Sequence, residues 1–187
     1  MGDSVYVECV ERLRGLIDNL LDVTALETGK LKLDSRRLDF AEVFGRALAG
    51  RRAAFGRAGV ELAVEVPDAV LEGQGDPERL GQALEHLLDN AIKFTPEGTI
   101  TLFCKAEAHP EHPDALLLQM ELKDTGHGIE PEALKRVLEP FEQASAGRRA
   151  GGAGLGLPIS RRQIEAMDGE MRIESQPGAG TTCTTSG

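Results

Sequence analysis

DPERLGQALEHLLDNAIKFTPEGTITLFCKAE, residues 76–107, decides the fold. Asp76 is a good helix N-cap, and Pro77 stands at the first helical position, where a missing N–H does no harm. Leu80, Leu84, Leu87, Leu88, Ala91 and Ile92 recur at helical spacing and form one buried face. Pro96-Glu97-Gly98 ends the helix, and TITLFCKAE follows as a strand. Beyond the loop HPEHPD, which holds His109 and His112, ALLLQMELKD reads as a second strand. Residues 158–167 predict one more helix, and MRIES and TTCTT, joined by QPGAG, predict a terminal hairpin. Upstream, Phe40, Val43, Phe44, Ala47 and Leu48 predict a helix over 40–57, broken by Gly59, before the strand VELAVEV at 60–66. Helices and strands mix without a regular βαβ alternation. The expected class is therefore α+β, with helices on one face of a mixed sheet.

Residues 8–27, ECVERLRGLIDNLLDVTALE, put Val10, Leu13, Ile17, Leu20, Leu21 and Thr24 on one stripe of a further long helix. Glu8, Glu11, Arg12, Arg14 and Asp18 fill its other faces, so the stripe calls for a partner helix or a second copy of the chain. Gly29 stops this helix, and Lys30 to Phe40 reads as a charged connector with an alternating Leu31/Leu33 patch.

The 187 residues, 41% of them hydrophobic, suit one compact domain with a short appendage. The net charge of −10 argues against general nucleic-acid binding, which needs a basic face. A small polyphosphate ligand remains possible, since a few local cations and backbone N–H groups suffice for it. No run approaches the ~20 apolar residues that span a bilayer, and MGDSVYVEC lacks the features of a signal peptide. The expected location is cytoplasmic, with no membrane contact by this segment. Cys9, Cys104 and Cys183 form no CxxC or CxxH pair and read as reduced, buried thiols.

Four segments carry chemistry. In LLDNAIKFTPEG, residues 87–98, Asn90 and Lys93 share a helix face, an amide and an ammonium suited to a metal-bound phosphate chain. In DTGHGI, residues 124–129, a carboxylate at a strand end precedes two glycines, so the backbone can approach a flat ligand while Asp124 accepts from an exocyclic amine. PFEQA occupies 140–144. In GGAGLGLPIS, residues 151–160, Gly152, Gly154 and Gly156 alternate with Ala153 and Leu155 before a helix, which aims N–H groups and a helix dipole at phosphate. Gly is abundant overall, at 22 residues.

In this order the four segments resemble the N, G1, F and G2 boxes of the catalytic, ATP-binding domain of sensor histidine kinases, and PGAGTT at 177–182 resembles the last glycine-threonine element. That domain belongs to an ATPase superfamily shared with DNA gyrase, the ninety-kilodalton heat-shock chaperone and MutL. RLRGLIDNLLDVTALETGKL at 12–31 is similar to the second helix of the dimerisation and phosphotransfer domain. The resemblance implies a two-layer α/β sandwich with a mixed five-stranded sheet and three helices, preceded by a long N-terminal helix. Residues 1–30 would be the bundle remnant, 31–37 a connector and 38–187 the ATP-binding domain.

It further implies ATP and Mg²⁺ as ligands, a response-regulator receiver domain as partner, and a homodimer through the N-terminal helix. Asp124 would bind the adenine amine, with Gly126 and Gly128 beneath the base and Thr182 nearby through water. Asn90 would hold Mg²⁺, Lys93 would contact phosphate, and Phe94 would flank the adenine. Gly152, Gly154, Leu155 and Gly156 would close over the phosphates. Residues 143–153 would form the lid, with Arg148 and Arg149 near the terminal phosphate.

Three features depart from the pattern. The phosphoacceptor histidine is missing, because none of His86, His109, His112 and His127 has its context, so the chain is expected to begin inside the second bundle helix. His86 lies one turn before Asn90, where these kinases usually carry another Asn. Imidazole there could touch the Mg²⁺ or its water. The tail TTCTTSG lacks the expected apolar residues of a last strand. A regulatory nucleotide-binding module without phosphotransfer, or a relative that hydrolyses ATP or phosphorylates Ser/Thr, is the alternative function.

Overall fold

The computed structural model describes residues 32–66, 72–108, 116–142 and 154–187, together with Val10, Ile17 and Thr24. Strand β1 (Arg36–Asp39) leads into helices α1 (Phe40–Ala49) and α2 (Arg52–Ala58), then strands β2 (Val60–Glu65) and β3 (Glu72–Gly75). Helix α3 (Pro77–Phe94) is followed by β4 (Gly98–Ala108) and β5 (Leu116–Asp124). A short helix α4 (Pro131–Leu134), helix α5 (Gly156–Ala166), and strands β6 (Glu170–Gln176) and β7 (Gly180–Ser186) complete the described chain.

Five strands form one mixed sheet in the order β2-β4-β5-β7-β6, with β2 parallel to β4 and the other pairs antiparallel. Strand alternation sends Ile100, Leu102 and Cys104 of β4, Met120 and Leu122 of β5, and Cys183 of β7 to one face. There they meet Leu84, Leu87, Leu88 and Ala91 of α3, all buried. The opposite face carries Thr101, Lys105, Glu121, Lys123 and Thr184 and stays wet, as an antiparallel sheet of a two-layer domain can. The expected architecture of a sheet with helices on one face is what forms. Burial pushes the Cys104 thiol up to about 11 and that of Cys183 up to about 12, so both stay protonated and unreactive. Cys9 lies outside the described residues.

Helix α3 begins as its sequence dictates. Asp76, 5% exposed, accepts from the N–H groups of Glu78 and Arg79 through Oδ1 at 3.0 and 3.1 Å. Its Oδ2 accepts from the Asp34 N–H at 3.0 Å, so one carboxylate caps the helix and holds the incoming connector. Helix α5 packs on α3 through buried Ser160, whose hydroxyl donates to the Ala83 carbonyl, and buried Gln163, which donates to Gln82.

Two local expectations change. The helix expected over 40–57 breaks at Gly50, whose N–H bonds back to Arg46, and a new turn starts at Arg52. The connector contains a strand, because β1 pairs with β3 in a two-stranded ribbon. Gly73 makes this possible: a Cβ there would lie 2.9 Å from the Phe40 ring. Val10, Ile17 and Thr24 are helical and exposed, so at those three positions the apolar stripe is not covered by this domain.

Candidate functional site

Asp124 ends β5 and is 9% exposed on the helix-facing side of the sheet. Its Oδ1 accepts from the Gly126 N–H at 2.8 Å and the Thr181 N–H at 3.3 Å. Burial pushes its carboxyl above the usual carboxylate range, against the opposing pull of these two N–H groups and of the Thr95 hydroxyl. The Gly126 position admits no side chain, since a Cβ would lie 2.3 Å from the Phe94 carbonyl oxygen. Gly128 has φ +69°, and a Cβ there would stand 2.0 Å from the Gln176 carbonyl. The turn therefore lies flat between the end of α3 and the β6–β7 hairpin. His127 locks it, donating to the Phe94 carbonyl from its backbone N–H at 3.2 Å and from Nδ1 at 2.9 Å, which fixes the Nδ1–H tautomer.

The end of α3 and the start of α5 close the other wall. Gly156, the first residue of α5, faces both His86 and Asn90: a Cβ on it would lie in ordinary contact with them, 3.4 Å from Asn90 Nδ2 and 3.5 Å from His86 Cβ. The two side chains lie one helical turn apart and border a common patch. Lys93 sets its ammonium 5.0 Å above the centre of the half-buried Phe94 ring. Behind this face Arg51, 16% exposed, grips Asp89 with Nε and Nη2 at 2.6 and 2.9 Å and reaches Glu85 at 3.5 Å. That clamp directs both carboxylates of the turn away from His86 and Asn90.

The expected residues Asp124, Gly126, Gly128, Phe94, Lys93, Asn90, His86 and Gly156 thus come from three segments that converge at one end of the sheet. Gly154 has φ +69°, and its carbonyl accepts the Phe141 N–H at 3.2 Å, while Leu155 packs on Ile159. This pair brings together the chain on either side of residues 143–153. Arg148, Arg149, Gly152 and the whole of the expected lid, residues 143–153, lie outside the described residues. Thr182 is placed differently: it stands opposite Lys123 and Glu174, and strand alternation turns it to the face away from Asp124. The threonine beside the carboxylate is Thr181, whose Oγ1 lies 2.9 Å from the Ser175 hydroxyl. Thr95, Thr181 and Arg51 were not singled out from the sequence. Strand phase relative to Cys183 could have marked Thr181.

A family model described as histidine kinase-, DNA gyrase B- and HSP90-like ATPase matches residues 75–186, which hold all of the converging segments. The chain belongs to this ATPase family. Among curated relatives, the sensor histidine kinase GacS of Pseudomonas protegens is 40% identical over 183 residues, covering 94% of this chain and 20% of that protein. The sensor histidine kinase RcsC of Escherichia coli is 35% identical over 172 residues, covering 90% of this chain and 17% of that one. The chain thus spans about a fifth of the length of these relatives. Of solved structures, full-length ShkA in complex with AMPPNP superposes with a TM-score of 0.79 at 27% identity, covering 96% of this chain and 36% of that one. The Acinetobacter baumannii histidine kinase AdeS gives 0.78 at 22% identity, covering 98% and 81%, and shares the fold. Among the described residues, no helix is long and apolar enough to cross a membrane.

Proposed function

We propose that this chain is the ATP-binding catalytic region of a sensor histidine kinase. It positions ATP so that the γ-phosphoryl group passes to a histidine on another segment, ADP leaves, and the phosphohistidine then supplies an aspartate of a response-regulator receiver domain. The observation that carries this reading is the Asp124 carboxylate, buried at a strand end with two N–H groups on one oxygen and a side-chain-free turn beside it. Such a group accepts a hydrogen bond from a flat heterocycle's exocyclic amine in a site with little competing water. AMPPNP in ShkA, at 27% identity over nearly the whole chain, supports adenine nucleotide as the ligand.

Gly126 and Gly128 leave space for the base, and Phe94 flanks it. Thr181 takes the place expected of Thr182. Lys93 meets phosphate oxygens, and the N-terminus of α5, with Gly152, Gly154, Leu155 and Gly156, directs N–H groups toward them. Arg148 and Arg149 approach the terminal phosphate. An amide and an imidazole beside Gly156 are a donor set that fits a divalent cation on the phosphate chain, and Asn90 is its principal ligand. The cation, once bound, neutralises phosphate charge; the protein's own part is orientation and electrostatic stabilisation. The apolar stripe through Val10 and Ile17 pairs two copies in the cytoplasm.

Calorimetric titration with AMP-PNP and Mg²⁺ tests the reading. Micromolar binding that Asp124→Ala removes supports it, and an acid-labile phosphoprotein formed with an acceptor-bearing bundle added in trans establishes the transfer. An acid-stable phosphoester or released phosphate instead would assign the site to a different reaction. Absence of binding by the folded chain would overturn the reading.

A further inference from the structure

We propose that the cavity enclosed by β1, β3, α3, α5 and the far ends of β5 and β7 binds an uncharged, largely apolar small molecule whose one hydroxyl meets Thr185. The site lies at the end of the molecule away from Asp124 and is independent of the nucleotide reading. Three observations carry it.

The first is room that packing leaves empty. The cavity measures about 710 Å³, inside the range of roughly 300 to 1,000 Å³ that small-molecule sites occupy. Close-packed interiors hold few voids larger than a water molecule. Leu38, Leu80 and Ile164 line the space at 4, 7 and 5% exposure, and Phe40, Leu118 and Met167 complete its apolar wall. The ribbon contributes bare backbone. A Cβ at Gly73 would lie 2.9 Å from the Phe40 ring and one at Gly75 2.9 Å from Leu38 Cδ2, so a side chain at either would displace a neighbour.

The second is a buried hydroxyl with nothing to bond. Thr185 is 6% exposed, lines the cavity, and stands on the helix-facing side of β7 in phase with Cys183. Its partners across the sheet are Met120 on β5 and Met171 on β6, both buried and apolar. Among the described residues the Thr185 hydroxyl makes no hydrogen bond. One O–H and two lone pairs left unmet in an apolar space are costly, and a ligand oxygen at that depth satisfies them.

The third is the charge at the rim. Arg37 and Glu72, both exposed, pair with each other across the β1–β3 ribbon. With these charges matched, an ion that enters gives up its hydration and gains no spare counter-charge. A neutral molecule loses little and removes its apolar surface from water. The cavity therefore selects an alcohol over a carboxylate or an amine of the same size.

The test uses the chain with its methionine methyl groups ¹³C-labelled and 1-octanol as the probe. The Met167 methyl signal should shift saturably as 1-octanol is added. Octanoate, of the same length but charged, should bind at least about tenfold more weakly. Thr185→Val keeps the shape and removes the hydroxyl, and should weaken 1-octanol about fivefold. Thr185→Leu should occupy the space and abolish the shift. A Met167 signal unmoved by 1-octanol, octanoate that binds as well, or Thr185 variants that bind 1-octanol undiminished would each overturn the proposal. The comparison of the two probes needs no substitution, so it decides the matter even should the variants fold poorly.

Discussion

Helices α3 and α5 run between two ends of the molecule that are built in opposite ways. At the Asp124 end, backbone meets backbone with no slack: Gly126 on the Phe94 carbonyl, Gly128 on Gln176, and Gly180 so near the Asp124 carbonyl that a Cβ would stand 1.9 Å away. At the other end, where α3 starts and α5 finishes, a cavity of about 710 Å³ opens among Leu38, Phe40, Leu80, Leu118, Met167 and Thr185. Of the core-facing positions of β7, Thr185 lines this cavity, and its short side chain leaves part of the volume unfilled. One end spends its packing on a geometry, and the other carries unused room. Substitutions should therefore harm function at the first end and have scope to improve stability at the second.

The largest effect should come from Gly126→Ala. With its Cβ 2.3 Å from one carbonyl oxygen and 2.9 Å from Asp124 Oδ1, the turn must move, and a loss of about 3 kcal/mol in urea unfolding together with loss of nucleotide binding is expected. Intact binding would show that the tight end tolerates slack after all.

Asp124 gives a comparison by pH. Its folded pKa lies above the ordinary carboxylate value of 3.8, so between 3.8 and that raised value the folded state holds a proton that the unfolded state has lost. Stability of the ligand-free chain should fall as pH rises through this window. Affinity for adenine nucleotide should move the opposite way, because the amine requires the ionised carboxylate. Thermal unfolding and calorimetry across the window, with Asp124→Asn as reference, check both signs. Parallel trends would break the assignment.

Arg51→Ala removes a half-buried, two-pronged ion pair and should cost about 1 to 2 kcal/mol in chemical denaturation. The smallest change is a gain. Thr185→Leu adds apolar volume beside the cavity and should raise stability by about 1 kcal/mol, with nucleotide affinity unaltered. A destabilised Thr185→Leu would mean the cavity walls have no freedom to accept it.

What the sequence disclosed follows the same division. Helix α3, with Asp76 and Pro77 at its start, was legible because capping and spacing are local. Strands β4 and β5 and the β6–β7 hairpin were legible for a similar reason: alternation and turn residues sit within one short stretch. The β1–β3 ribbon was not, because EGQG carries no apolar pattern and becomes a strand only through its contact with Phe40 and Leu38. Of the motif residues, Gly126 lies beside Asp124 and Gly156 beside Asn90, contacts between segments that each motif shows only singly in sequence. Choosing between Thr181 and Thr182 required the pairing register of β5 with β7, which flips every side chain on a one-residue slip. Arg51 stands 38 residues from Asp89, and no local pattern joins them.

The bond from the Thr181 N–H to Asp124 spans 57 residues, whereas β4 and β5 join across one hairpin. Closing a long loop is slower than closing a short one, so the β4–β5 pair can assemble well before the β6–β7 hairpin docks on β5 through β7. The pocket is then finished by the last strand to dock. On a ribosome, or during refolding, the ability to hold a nucleotide would arise in a single late step, and nucleotide added early would have no partial site to guide the chain.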